Sequence, residues 1–300
     1  MLRVLGLGVG LFSLATARDA GAFVHVVRPK ESLADIATKL YGDASKEGLL
    51  ASANALDVQG GSAIVPGMHL QIPACDYRRV GEHATWPNLA REYLGSDERA
   101  DALARVNDAV AWVAPSPGQE IRVPYVLTYI AAEGDTTTAI ARRFLGEANR
   151  AWEIESYNGK KEWKLLRGEV VLVPISNLDL TDAGRAEASH DDVRGRRESG
   201  GQTMAQQKKV AQEIPALLAD VRAGRYVDAV ARGNRLLGQG ELDARARASI
   251  DRALVEAYVA LDAAGPAAIA CDDWHKQEPT ATLDPIYVSP KIRDACRAPH

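Results

Sequence analysis

The sequence has no excess of positive charge. Its 36 lysines and arginines are outnumbered by 40 aspartates and glutamates, for a net charge of −4. A nucleic-acid binder normally carries a basic face, and attraction to anionic lipid needs one too, so both classes are disfavoured. The local run Arg194-Gly195-Arg196-Arg197 reads as part of a solvated linker. Long apolar runs are also lacking. The only extended one, Val4 to Ala17, is shorter than the roughly 20 residues a membrane-spanning helix needs. Cysteine is scarce: Cys75, Cys271 and Cys296 allow one pair with one left over. In an oxidising compartment Cys271 and Cys296 could pair and tie down the C-terminal segment.

Motifs for catalysis are missing as well. The histidines His25, His69, His83, His190, His275 and His300 are scattered rather than set at metal-ligand spacing. Asp272-Asp273…His275 is the one local cluster, and adjacent helical residues do not share a face. Cys271 and His275 lie one helical turn apart, with no surrounding nucleophile motif. Neither a Gly-x-Ser-x-Gly elbow, a Ser-x-Gly-Cys motif nor a phosphate loop occurs. The expectation is a non-enzyme with no metal and no cofactor.

What is present is a pattern written three times. Leu40-Tyr41-Gly42, Tyr93-Leu94-Gly95 and Phe144-Leu145-Gly146 are followed, at one identical separation, by Asn54, Asn107 and Asn158. Each copy closes on a glycine-to-proline segment: Gly67…Ile72-Pro73, Gly118…Val123-Pro124 and Gly168…Val173-Pro174. A period of about 50 residues is the scale of one supersecondary unit. In the third copy, Leu127 to Ala131 alternates as a short strand, and Glu133-Gly134-Asp135-Thr136 turns into a helix capped by Asp135 or Thr136. Ile140-Ala141 and Phe144-Leu145 recur at helical spacing, Gly146 ends that helix, and Trp152, Ile154 and Tyr157 mark a second one. Leu166 to Val173 supplies the last strand. The order is strand, helix, helix, strand, with the two strands paired antiparallel under both helices.

These units resemble LysM modules, the small domains that bind N-acetylglucosamine polymers, above all peptidoglycan. The third copy carries the resemblance in Gly134-Asp135-Thr136, Ile140-Ala141, Phe144…Gly146, Asn158, Gly168 and Pro174. The first carries it in Lys30-Glu31-Ser32-Leu33, Ile36-Ala37, Tyr41-Gly42, Asn54, Gly67 and Pro73. The second keeps Leu89-Ala90, Gly95, Asn107, Gly118 and Pro124 but loses the turn. The resemblance implies a groove between the turn before the first helix and the loop after the second. Its walls would be Gly134, Asp135, Thr136 and Thr137 against Tyr157, Asn158 and Gly159 in the third copy. In the first they would be Glu31, Ser32 and Leu33 against Asn54, Ala55 and Leu56. The second would offer Thr85, Asn107 and Asp108 and reads better as a spacer. Asp135 and Ser32 could equally be helix caps, and the asparagines could satisfy backbone groups alone. Trp152 suits module packing, while Trp86, Trp112 and Trp163 fall near turns.

From Asn177 to about Gln207 apolar periodicity disappears, as in a flexible tether. Helices follow, and Gly224, Tyr226, Ala229, Ala257, Tyr258, Ala260, Ala268, Trp274 and Pro279 resemble tetratricopeptide hairpins. The expected fold class is α+β: tandem βααβ modules followed by an all-α, tetratricopeptide-like domain. The expected division is a signal peptide at 1–22, ending near Ala15-Thr16-Ala17 or Ala20-Gly21-Ala22, then modules at 23–74, 75–125 and 126–175. A linker at 176–207 and a helical interaction domain at 208–300 complete it. The reading is of an exported envelope or periplasmic protein that holds peptidoglycan, docks a protein partner, and inserts stably in no membrane once the signal is removed.

Overall fold

The computed structural model describes residues 22–56, 64–160, 164–191, 201–281, 283 and 288–297. The basic-apolar N-terminal segment read as a signal, and Trp163, lie outside these. The first unit runs β1 (Ala22–Val26), α1 (Leu33–Tyr41), a 3-10 turn, α2 (Glu47–Ala53) and β2 (His69–Pro73). The second runs β3 (Asp76–Arg79), α3 (Trp86–Leu94), a 3-10 turn, α4 (Ala100–Val106) and β4 (Glu120–Val123). The third runs β5 (Tyr125–Ile130), α5 (Thr137–Leu145), a 3-10 turn, α6 (Ala151–Tyr157) and β6 (Val170–Ile175). Each unit holds one antiparallel strand pair, β1–β2, β3–β4 or β5–β6. The N-terminal part is thus a strand–helix–helix–strand architecture, and the C-terminal part is helical.

The local causes repeat. Ser32, Thr85 and Thr136 each cap the first helix by accepting from the backbone three residues on. Thr136, not Asp135, is therefore the cap of the third unit. Gly42, Gly95 and Gly146 end those helices in the left-handed conformation, which an L side chain disfavours. The buried apolar stripe Ile36, Ala37 and Leu40 of α1 meets Phe23, Leu50, Leu70 and Ile72.

The three asparagines do one structural job. Asn107 Nδ2 donates to Leu103 O and Arg122 O, both at 2.9 Å, while its Oδ1 accepts from Arg122 N at 2.6 Å. Asn54 makes the same three bonds with Leu50 and Gln71, and Asn158 with Ile154 and Leu172. Each side chain staples the end of the second helix to the last strand.

The units do not form a simple row, because the third packs on both others. Leu49 of α2 joins the core of the third unit, and Tyr157 of α6 joins that of the second. Cys75 is buried at the first of these junctions, where burial pushes its thiol up.

The first half of the expected tether is not a tether. Leu178 is buried in the third unit's core, and α7 (Asp182–Asp191) lies across α1 and β1. Thr181 N donates to Leu40 O at 2.9 Å, and Lys39 Nζ to Glu187 at 2.8 Å. A Cβ at Gly184 would sit 2.6 Å from the Leu40 carbonyl oxygen. Glycine is what lets this helix come so close, and its small, polar composition hid it from apolar periodicity. Gly184→Ala should lift α7 and destabilise the first unit by about 1–3 kcal/mol. The check is hydrogen exchange of the α7 amides, which should lose protection while α10 keeps its own.

The helical part comprises α8 (Gln202–Arg222), α9 (Tyr226–Leu237), α10 (Ala244–Ala260), α11 (Ala264–Gln277) and α12 (Pro290–Ala295). Its first helix begins at Gln202, six residues before the expected boundary at 208. It is docked on the second unit. Glu120, 2% exposed, accepts from Met204 N at 2.8 Å, and its own amide donates to Gln207 at 2.9 Å. Gln207 Nε2 in turn donates to Gly118 O at 2.9 Å. Cys271 and Cys296 are joined by a disulfide, with Cα atoms 5.4 Å apart. No helix among the described residues is long and apolar enough to cross a membrane.

Asp251 on α10 is 2% exposed, and its Oδ2 has no hydrogen-bond partner among the described residues. Burial, helped by the nearby Asp273, pushes its carboxyl from 3.8 up to about 6. A raised acid favours the fold when protonated, so its stabilising effect is complete below about pH 4 and is lost as pH rises through 6. Asp251→Asn should therefore gain stability over the wild type across that window, reaching about 2 kcal/mol at pH 7. Paired thermal melts at pH 4.5 and 7.5 measure it.

Candidate functional site

Each unit turns its backbone left-handed at the two places where a groove would have its walls. Before the first helix these are Lys30, His83 and Gly134; after the second they are Ala55, Asp108 and Gly159. Left-handed turns aim successive amides outward, and non-glycine residues adopt them at a cost of about 1–2 kcal/mol. The strain at Lys30 and Ala55 is held in place by the same turn bonds that glycine makes freely in the third unit.

In the first and third units an acidic residue locks the turn before the first helix. Glu31 accepts from Arg28 N at 2.7 Å and from His25 Nε2 at 2.9 Å. Burial pushes its carboxyl up, but the Arg28 amide and His25 outweigh this and hold it below the ordinary value. Asp135 does the same work, accepting from Ala132 N at 2.7 Å and from Tyr129 Oη at 2.8 Å. Both carboxylates therefore face their own turn. Ala84 occupies the matching place in the second unit, which explains the loss of turn sequence there.

The expected wall residues divide into two groups. Exposed at the turns are Gly134, Gly159, Ser32 and Ala55, with Thr136 half-buried beside them. Turned inward are the rest. Leu56 is buried in the first unit's core, and Leu33 packs partly against it. Thr137 is buried and donates to Glu155 at 2.6 Å. Tyr157 is buried against the second unit beneath the Arg99 guanidinium, 4.4 Å from its ring centre. Burial pushes its phenol up to about 12. Asn54 and Asn158 are occupied by their staples. What the wall offers a ligand is mainly backbone, with Thr136 also bridged to Lys164 across the third unit.

The tryptophans settle differently from their sequence reading. Trp86 is 1% exposed and donates from Nε1 to Val113 O at 2.8 Å. It belongs to the second unit's core and ties that unit's turn to the loop after α4. Trp112 stands 83% exposed on that loop. Trp152 is not core: it is 44% exposed at the junction of the second and third units, under Arg105. None of these positions carries a repeat signature, so periodicity could not place them.

This unit geometry meets an independent match. Residues 25–73 match the LysM domain family. The match begins inside β1 and ends with β2, so it covers the first unit. Two curated relatives from Mycobacterium tuberculosis are named Esterase MT1326 (strain CDC 1551 / Oshkosh) and Esterase Rv1288 (strain H37Rv). Each is 27% identical over 156 residues, which is 52% of this chain and 34% of the relative. The chain thus spans about a third of the length of these relatives. The LysM match suggests binding of peptidoglycan or chitin, and a setting in the cell envelope or outside the cell.

Proposed function

We propose that the protein is a non-catalytic binder of peptidoglycan, or of a related N-acetylglucosamine polymer, acting as an adaptor or scaffold of the cell envelope. One observation carries this reading: the LysM match coincides with a complete strand–helix–helix–strand unit whose turn residues Lys30, Ser32 and Ala55 are exposed. The second and third units repeat its caps, left-handed turns and asparagine staple, and we read them as LysM-like too. The first and third units would take the glycan, with the exposed backbone of their turns meeting its N-acetyl group. The second, with Trp86 in its core, would be the spacer that carries the helical part. That part, read as tetratricopeptide-like, would present the surface for a protein partner. The Cys271–Cys296 disulfide supports an oxidising, exported setting.

Each shallow site would bind weakly. Two sites on one polymer raise each other's effective concentration, and avidity adds about two to four orders of magnitude. The test is co-sedimentation of the full chain with purified sacculi. Retention should exceed that of an unrelated protein of similar charge and should be competed by soluble chitin oligosaccharides. Background retention would leave a protein scaffold without glycan binding. The relatives' names favour a second reading, an esterase. Hydrolysis of p-nitrophenyl acetate above the buffer rate, abolished by a serine-directed inhibitor, would establish it in place of the non-catalytic one.

A further inference from the structure

A cleft of about 240 Å³ separates the second and third units, smaller than the roughly 300–1,000 Å³ of drug-sized pockets. It is lined by Arg105 of α4 and by Arg150, Trp152, Glu153, Ser156 and Ser176 of the third unit and its continuation. Arg105 lies over the Trp152 ring, 4.5 Å from its centre. Arg150 is spent on Glu153, through bonds of 2.6 and 2.8 Å. Among the described residues Arg105 has no such carboxylate. A guanidinium that stacks by its face keeps its N–H edge free, and that edge matches a carboxylate in bidentate fashion.

The pair is not required by the module. In the repeat, the position of Trp152 is held by Gly48 and Asp101, and that of Arg105 by Ser52 and Ser156. The units containing those residues fold the same way. Two arginines against one glutamate also leave this cleft locally positive on a chain of net charge −4. Its place matters too. Ser156 lines the cleft, and its carbonyl accepts from Gly159 N at 3.2 Å, the exposed wall residue of the third unit.

We infer that this cleft is a subsite for a carboxylate carried by the glycan, with Arg105 gripping the carboxylate and Trp152 packing against the attached apolar atoms. The inference rests on the glycan-binding reading above and narrows it to an anionic, peptide-bearing polymer rather than a neutral one. Chitin has no such group, whereas peptidoglycan stems end in free carboxylates.

The test is calorimetry on the full chain with three probes: chitotetraose, a disaccharide muropeptide with free stem carboxylates, and the same muropeptide with those carboxylates amidated. The wild type should bind the free-acid muropeptide about tenfold more tightly than the amidated one. Arg105→Gln should erase that difference while leaving chitotetraose affinity within about twofold. Equal affinity of the wild type for both muropeptides, with chitotetraose still bound, overturns this inference alone. Absence of binding to all three probes overturns the glycan reading itself. If Arg105→Gln does not fold, the comparison of free and amidated ligand on the wild type still decides. An Arg105→Gln protein that is merely less thermostable, with the tenfold preference intact, makes the Arg105–Trp152 stack an inter-unit clamp and overturns the proposal.

Discussion

Asn107→Asp should unfold or nearly unfold the second unit, although the two side chains have the same shape. Asn107 is 6% exposed and turns its amide nitrogen to two carbonyls, Leu103 O and Arg122 O. Aspartate puts an acceptor, and a negative charge, against those two acceptors. It keeps only the bond from Arg122 N. A buried polar group left without a partner costs about 1–3 kcal/mol, more when charged, and here two carbonyls are stranded at once. Asn107→Ala should cost about 3 kcal/mol by the same count; Asn107→Asp should cost more. Chemical denaturation of both variants measures the order. If Asp were tolerated better than Ala, the staple would not be what holds β4 to α4.

The second large effect is loss of the Cys271–Cys296 bond. It closes a loop of sequence separation 25 and fastens α12, six residues long, to α11. A helix so short does not persist alone in water. Among the described residues its apolar packing on the helical core comes from partly buried Ile292 and, just past its end, Cys296. On the chain-entropy account, such a crosslink contributes about 3 kcal/mol. The double variant Cys271→Ser/Cys296→Ser should lose about that much stability in the helical part and release the C-terminal segment. Trp274, 5% exposed beneath that segment, should then become wetter and its fluorescence shift to the red. A melt and an emission maximum identical to wild type would contradict this.

Much of the N-terminal architecture was legible because it repeats. Glycine at the helix end, asparagine after the second helix and proline at the last strand mark one path for the backbone three times over. The Ser32 cap was readable for the same reason, and that of the third unit was narrowed to Asp135 or Thr136, whereas Thr85, read only as a wall residue, proved to be the cap of the second. What escaped were features that occur once and leave no local pattern. The strap α7 is held by Gly184 and polar bonds rather than by an apolar stripe. Tyr157 carries a module-core signature yet turns to its neighbour, and Trp86 sits at a turn yet belongs to the core. The carboxylates of Glu31 and Asp135 have the composition of a ligand site, but their nearest donors are amides three residues earlier in the chain. Tertiary packing decided these cases, and no local pattern encodes it.

For the candidate site the consequence is specific. On the proposed reading its chemistry lies in the main chain, so side-chain substitutions such as Asp135→Ala would report on turn integrity rather than on ligand contact. A measurement that sees amides directly is therefore needed. Titration of isotope-labelled full-length protein with chitotetraose, followed amide by amide, provides it. The expected result is saturable shifts at Lys30, Ser32, Ala55, Gly134, Thr136 and Gly159, with the second unit's His83 and Asp108 unmoved. Shifts absent from the first and third units at millimolar sugar, or confined to the helices after Gln202, would contradict the account.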